Sequence, residues 1–255
     1  MHIPVTPSMR LDGRRALVTG AGRGLGLAAA SALAAAGAEV VLAARSSQEV
    51  HEAAAAIGEA GGKASGVALD VVDLEATSAW LEHAPAFDIL VNNAGTNRPA
   101  AFLNTEAADY DFVFNVNVRA AFFIAQGVAR KLVRDGRPGS IINLSSQMGH
   151  VGAARRTVYC ATKHAVEGMT KAMAAELGAH AIRVNTLCPT FIETPMTKPF
   201  FADGAFRDAV LGKLKLGRLG VPEDIMGAIV FLASDASALM TGSALMLDSG
   251  WTSTS

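Results

Sequence analysis

The sequence predicts an α/β fold: a doubly wound, Rossmann-type parallel sheet of about seven strands with helices on both faces. Three observations predict it. Short apolar runs alternate with helical patterns along the chain. The runs are continuously apolar rather than alternating, as expected of strands covered on both faces. The first run opens into a glycine-rich turn, "TGAGRGLG", at the head of a helix. At 255 residues, 51% of them hydrophobic, the chain suffices for one such domain over 1–255. No linker, tandem repeat or low-complexity segment divides it.

"RRALVTG" (14–20) is the first strand, and the Ala/Leu helix after it runs to Ala36, closed by Gly37. "AEVVLAA" (38–44) is the second strand. Ser46 and Glu49 then form a capping box for a helix ending near Gly61. "ASGVALD" (64–70) is the third strand, with a helix from about Asp73. "FDILVNNAG" (87–95) is the fourth, followed by a long helix from about Thr105 to Arg134. "GSIINLSS" (139–146) is the fifth, and a helix over 157–179 precedes "IRVNTLC" (182–188), the sixth. An irregular stretch leads to "VPEDIMGAIVFLAS", a helix with Pro222 at its first position. "SALMLDSG" (243–250) is the last strand. Ligands of such sheets bind outside the carboxyl ends of the strands, so the segments that follow strand ends should converge on one crevice.

Lys+Arg 22 against Asp+Glu 23 gives a net charge of −1 and no reason to expect nucleic acid or an anionic membrane as partner. No uninterrupted apolar run is long enough to span a bilayer. Cys160 and Cys188 cannot make a disulfide framework or a zinc site, and no metal is expected. The start, "MHIPVTPSMR", lacks the apolar run of a signal peptide. The expected compartment is the reducing cytoplasm.

In the glycine turn, Gly20, Gly24 and Gly26 let the backbone turn tightly and approach a ligand, while the free N–H groups of the following helix offer a phosphate site. The spacing is G-x-x-x-G-x-G. At the end of the second strand, where dinucleotide folds carry an acid for the ribose, the chain has Ala44 followed by Arg45. Arg23 in the turn reaches the same region. Two arginines without a carboxylate favour NADP(H) over NAD(H), although Arg45 could instead be solvated or stack on adenine.

"TVYCATKHAVEG" (157–168) holds Tyr159, with Lys163 four residues on and therefore on the same helical face. A free phenol titrates near 10, and a neighbouring cation lowers that value, so the pair is a candidate proton-transfer device. Y-x-x-x-K spacing alone is usually inert. Ser146, thirteen residues upstream at a strand end, strengthens it.

Taken together, "TGAGRGLG", "NNAG" (92–95), "FNVNV" (114–118), "INLSS" (142–146), "YCATK" (159–163), "IRVNTLCPTFIET" (182–194) and "MTGSALMLDSG" resemble the short-chain dehydrogenase/reductase family from about Leu11 to Gly250. Within it, the pattern is similar to 3-oxoacyl-carrier-protein reductase and gluconate- or glucose-dehydrogenase-like members. The resemblance implies interconversion of a secondary alcohol and a ketone by hydride transfer with NAD(P)(H). Asn117, Ser146, Tyr159 and Lys163 match its catalytic positions. Ser146 would polarise the carbonyl, Tyr159 pass the proton, Lys163 also hold the nicotinamide ribose, and Asn117 sit at a helix distortion holding a relay water. Ser145 and Asn115 are the alternatives one register away. The same resemblance puts Gly20, Arg23, Gly24, Leu25, Gly26 and Arg45 on the cofactor. Asp70 and Val71 would hold its adenine, Asn93, Ala94 and Gly95 lie under its ribose, and Pro189, Ile192 and Thr194 hold its carboxamide. Two departures are Thr190 and Ser249, where the family usually has glycine.

Substrate specificity is expected in 147–156, 96–99 and 194–220; about 190–220 should form a mobile lid. Gln147, His150, Arg98, Arg155 and Arg156 make that neighbourhood polar and basic, which suits a sugar, polyol, sugar acid or the phosphate of an acyl carrier; the alternative is that one or both of Arg155 and Arg156 are solvated. Met148, Phe191, Phe200 and Phe201 read as packing. The resemblance also implies a homotetramer, and "AAFFIAQ" (120–126) is apolar around more of its girth than one packed face needs. A non-catalytic nucleotide sensor and an epimerase or dehydratase on the same fold remain alternatives.

Overall fold

The computed structural model describes residues 1–253. Its strands are β1 (Arg15–Thr19), β2 (Glu39–Ala44), β3 (Lys63–Ala68), β4 (Ile89–Asn92), β5 (Gly139–Leu144), β6 (Ile182–Pro189) and β7 (Ala244–Leu247). All pair in parallel in the order β3-β2-β1-β4-β5-β6-β7. The chain reverses its direction of travel across the sheet between β1 and β4, which opens a crevice at their carboxyl ends.

The register explains why the strands are apolar throughout. Val41, Leu17, Leu90, Ile141 and Val184 are partners in one row across the sheet, and all enter one core layer. One residue on, Leu42, Val18, Val91 and Ile142 form the next row and enter the other layer. Neighbouring residues point to opposite faces and both faces are covered.

On the first face lie α1 (Gly24–Ala35) and α8 (Met226–Ala233), through Leu33, Ala29, Ile229 and Leu232. The second face is covered by α5 (Ala121–Arg134) and the carboxyl end of α6 (Thr157–Leu177), through Ile124, Val128, Leu132 and Ala174. The edge strand β3, with Lys63 and Ser65 exposed, departs from the continuous burial expected. At the other edge β7 is half-buried at all four positions.

Four local expectations need correction. The helix expected over 105–134 is α4 (Ala107–Phe114), a π-helical segment (Asn115–Ala120) and α5. This run, Ala107–Arg134, is long and apolar enough by length and composition to cross a bilayer, contrary to the sequence reading, and here it lines the sheet as a core helix. Within 190–220, read as irregular, a helix α7 (Gly204–Leu211) forms, capped by Asp203, whose Oδ1 accepts from Phe206 N at 3.2 Å. The capping box of α2 (Ser47–Glu59) is half made: Ser46 Oγ accepts from Glu49 N at 3.2 Å, while the Glu49 carboxylate turns to Arg23. The remaining helix, α3 (Leu74–His83), starts on an Asp73 cap as expected.

Candidate active site

The crevice is built by polar residues that end apolar strands. Thr19 closes β1, and its Oγ1 accepts from Asn93 N (3.0 Å) and Ala94 N (3.1 Å). Asn93 Nδ2 donates back to Thr19 O (2.8 Å) and Gly20 O (3.1 Å). This lock presses the two strand ends together: a Cβ on Gly20, whose φ is +64°, would lie 2.9 Å from Ala94 Cα. A Cβ on Gly26 would lie 2.2 Å from Gly20 O, so only glycine lets α1 start this close to β1.

The head of α1 is open. Its N-cap, Arg23, makes no side-chain cap and no acid occupies the first turn. The amides of Gly24, Leu25 and Gly26 therefore face the crevice with the positive end of the helix dipole behind them. That is what a pyrophosphate needs, and the residues present fit one. The loop after β6 reaches the same place, since a Cβ on Gly24 would sit 3.6 Å from Thr194 Cβ.

At the adenosine corner, Arg45 is exposed and makes no ion pair among the described residues. Arg23 Nη1 bonds Glu49 Oε1 at 3.0 Å. The sequence reading of two arginines without a carboxylate is thus corrected: Glu49 stands beside one of them. Asp70 is exposed, its Oδ1 accepting from Val72 N at 3.1 Å, and Val71 is buried.

Ser146, Tyr159, Lys163 and Asn117 come together at the ends of β4 and β5. Lys163 Nζ donates to Leu144 O at 2.7 Å and stands 5.5 Å from the centre of the Tyr159 ring. Ser146 Oγ donates to Gln147 Oε1 at 3.1 Å and accepts from Met148 N at 3.1 Å. Asn117 lies in the π segment, buried, with Oδ1 accepting from Thr96 N (2.8 Å) and Nδ2 donating to Thr96 O (2.9 Å) and Thr162 Oγ1 (3.1 Å). Gly95 lies between the Asn117 amide and the Lys163 ammonium: a Cβ there would be 3.5 Å from Asn117 Oδ1 and 3.9 Å from Lys163 Nζ. Asn115, the alternative, makes no such bonds.

The electrostatics differ from the expectation of a phenol lowered by its lysine. Burial pushes the Tyr159 hydroxyl up to about 12, outweighing the facing Ser146 hydroxyl and the Arg156 charge. Burial also brings Lys163 down to about 8, against the pull of Cys188 and Glu167. Desolvation penalises both charged forms, and here it exceeds the pair's attraction. In the protein alone Tyr159 keeps its proton at neutral pH and is a donor.

A pocket lined by Asn97, Ser146, Gln147, Met148, Arg156, Tyr159, Thr190, Phe191, Met196, Thr197 and Phe200 opens beside these groups. Gln147 and Arg156 are in it; the latter stacks over Phe200 at 5.2 Å. His150 is not: its Nε2 turns away to Glu167 Oε1 (3.4 Å) and Cys188 Sγ (3.5 Å). Nor is Arg98, whose charge is taken by Asp109 and whose guanidinium lies 4.0 Å over Phe112. Arg155 is exposed, at φ +60°.

The segment expected to be a lid has a core of its own. Phe191 packs on Phe201, Phe206 and Trp251, with Val210, Leu214 and Leu219 beneath. Ile192 is buried and bridges Gly220, and its carbonyl accepts from Thr197 Oγ1. Thr190 follows Pro189 without a positive φ, its N donating to Leu247 O at 3.0 Å. Ser249 does take φ +54°, the conformation glycine would serve, and its Oγ accepts from Leu216 N at 3.0 Å.

Sequence reasoning missed Thr19, Asn92, Thr96, Asn143 and Thr162, which position the others. Asn92 Nδ2 donates to Asn143 Oδ1 (2.9 Å) and to Ala121 O (3.0 Å), beside the π segment. Asn143 Nδ2 donates to Thr170 Oγ1 in α6 at 2.9 Å. The available signal was an amide side chain inside a run otherwise apolar enough to be buried on both faces.

A family model described as enoyl-(acyl carrier protein) reductase matches residues 20–252. The chain is 42% identical over 246 residues to L-xylulose reductase of Bos taurus, covering 96% of this chain and 99% of that protein. It is 40% identical over 246 residues to gluconate 5-dehydrogenase of Gluconobacter oxydans, covering 95% and 96%. The crystal structure of a gluconate 5-dehydrogenase from Burkholderia cenocepacia in complex with NADP and tartrate superposes with a TM-score of 0.93 at 37% identity, over 97% of this chain and 98% of that one.

Proposed function

The chain belongs to the short-chain dehydrogenase/reductase family, and from that membership we propose that it is an NADP(H)-linked oxidoreductase whose substrate is a small polyhydroxylated ketone or its alcohol. The observation that carries this is the meeting of Ser146, Tyr159, Lys163 and Asn117 beside a polar-lined pocket, at the strand ends that also carry the phosphate-accepting turn. A non-catalytic sensor would have no use for that convergence.

When bound, the nicotinamide supplies or accepts the hydride. The chain does the rest. Ser146 releases its bond to Gln147 and donates to the carbonyl oxygen. Tyr159, protonated as burial requires, gives its proton to that oxygen as negative charge develops there. Lys163 stabilises the phenolate left behind and holds the ribose hydroxyls. Asn117 fixes the Thr96 backbone beside it. In the oxidative direction Tyr159 would take the proton of the alcohol, with the Lys163 charge favouring its phenolate.

The substrate class follows from the pocket. Asn97, Gln147, Arg156 and Thr197 bring amide, guanidinium and hydroxyl groups to its lining. Such donors and acceptors match vicinal hydroxyls or a carboxylate, and a relative's names, L-xylulose reductase and gluconate 5-dehydrogenase, point the same way. Arg45 and Arg23 support NADP(H) through the 2′-phosphate, with Glu49 competing for Arg23. Both cysteines are buried free thiols, which agrees with a cytoplasmic protein. The reading includes a homotetramer.

Calorimetric titration with NADPH and then NADH tests the cofactor half. NADPH should bind at least about tenfold more tightly, as a charged phosphate contact warrants. Equal affinities would remove Arg45 from the 2′-phosphate.

A further inference from the structure

Beneath the catalytic serine, three side chains with metal-binding chemistry that are distant in sequence meet outside the substrate pocket. His150 follows the short turn after Ser146 (Gln147–Gly149), Glu167 lies one helical turn past Lys163, and Cys188 is near the end of β6. Cys188 Sγ is 3.2 Å from Glu167 Oε1 and 3.5 Å from His150 Nε2, and those two atoms are 3.4 Å apart.

These separations have a meaning. Zinc bonds of about 2.3 Å to sulfur and 2.0–2.2 Å to nitrogen and oxygen, held at tetrahedral angles, put ligand atoms about 3.3–3.6 Å apart. The two separations from His150 Nε2 fall in this range, and the 3.2 Å hydrogen bond from Cys188 Sγ to Glu167 Oε1 has to open slightly for the three atoms to form one face of such a tetrahedron. Glu167 is buried: its Oε2 accepts from Thr186 Oγ1 (2.9 Å), its ion-pair partner among the described residues is His150, and Lys163, which feels its charge, gives its ammonium to Leu144 O instead. A buried carboxylate in that setting needs a proton or a cation. A separate observation marks the fourth corner. Ser145 is 4% exposed, and its buried Oγ, which makes no hydrogen bond to nitrogen or oxygen, faces the Cys188 sulfur. A Cβ on Gly149 would touch both it (2.9 Å) and Glu167 Cγ (3.1 Å), so glycine keeps this space clear.

We propose that His150, Glu167 and Cys188 bind a divalent transition metal of the zinc class, with Ser145 Oγ or a water completing the tetrahedron. The Cys188 sulfur loses its proton to solvent, and the thiolate, the Nε2 lone pair and a Glu167 oxygen each form one bond to the cation; nothing is oxidised or reduced. The half-exposed edge of His150 is the way in. The site joins the Ser146 segment, α6 and β6, so its occupancy clamps the elements that carry Ser146, Lys163 and Pro189. The cluster draws on Cys188 alone, since Cys160 lies on α6 apart from it.

The test is titration of the chelator-treated full chain with Co²⁺ alone, followed by Zn²⁺. The expected result is one Co²⁺ per chain, with a near-ultraviolet thiolate-to-cobalt band and intense tetrahedral visible bands that Zn²⁺ bleaches. Cys160→Ser should keep these signals and Cys188→Ser should lose the thiolate band. His150→Gln, a half-exposed change that tests the site should Cys188→Ser fail to fold, should weaken binding by at least about tenfold, the scale on which even outer ligand partners matter. No band, a band that survives Cys188→Ser, or unchanged affinity in His150→Gln overturns the proposal. None of these readouts depends on turnover, so they stand apart from the proposed oxidoreductase reaction.

Discussion

At Lys163 two physical effects oppose each other: a buried ammonium loses its hydration, and the nearby Glu167 and Cys188 only partly restore its charge. Its value of about 8 sets a pH dependence. The protonated amine is the form that stabilises a departing phenolate, and it disappears as pH rises through 8, whereas Tyr159 at about 12 stays protonated across the range. In the ketone-reducing direction kcat/KM should therefore fall above pH about 8, a profile that reports the free enzyme; a flat profile to about pH 10 would exclude Lys163 as the titrating group. Tyr159→Phe removes only the proton donor. It should leave NADPH affinity within about twofold and lower kcat by roughly 10²–10⁴. The identities of Ser146, Tyr159 and Lys163 were legible because their spacing is local and motif-like. The direction of the tyrosine's displacement was not, because burial is a property of the packed molecule. His150 and Arg98 illustrate the same limit: sequence placed both near the substrate, but Glu167 with Cys188 claim the first, and Asp109 with Phe112 the second.

Among the elements, the contact between α1 and β1 is the tightest. Gly26→Ala would drive a methyl into Gly20 O, and its cost should be about 1–3 kcal/mol of stability together with weakened NADPH binding; thermal melting and calorimetry check both, and an unchanged pair of values would refute the close approach. The proposed preference for NADP(H) rests on the β2–α2 junction. Arg45→Asp should shift the NADPH/NADH affinity ratio towards NADH by at least about tenfold. Glu49→Gln should move it the other way by about 1.5- to 5-fold, since an exposed ion pair is worth about 0.2–1 kcal/mol. If Glu49→Gln leaves the ratio unchanged, the pair with Arg23 has no bearing on the phosphate. Strand and helix positions along the chain were readable because apolar runs and the Ser46 cap are local signals. The short α7 was not: glycines, a proline and aromatic residues around it suggest a loop, and the helix forms because Asp203 caps it and Phe206 and Val210 find Phe191 and Leu214.

For the whole molecule, part of the exposed apolar surface lies on α5 and along β7. Phe122 and Phe123 on α5 are 41% and 42% exposed, and every residue of β7 is only half-buried. Surface of this kind on two separate elements supports an assembly through two contacts. A tetramer is the expected mass at micromolar concentration; a monomer would refute that part of the proposal. The sequence hinted at this through "AAFFIAQ", while the exposure of β7 depended on its becoming an edge. The most direct test of the central claim is NADPH oxidation by the purified protein over a panel of ketopentoses, ketotetroses and keto-aldonic acids, run beside Tyr159→Phe. Turnover of at least one polyhydroxylated ketone that collapses in Tyr159→Phe is the predicted result. No turnover of any of them despite tight NADPH binding, or turnover that survives the loss of the phenol, would contradict it.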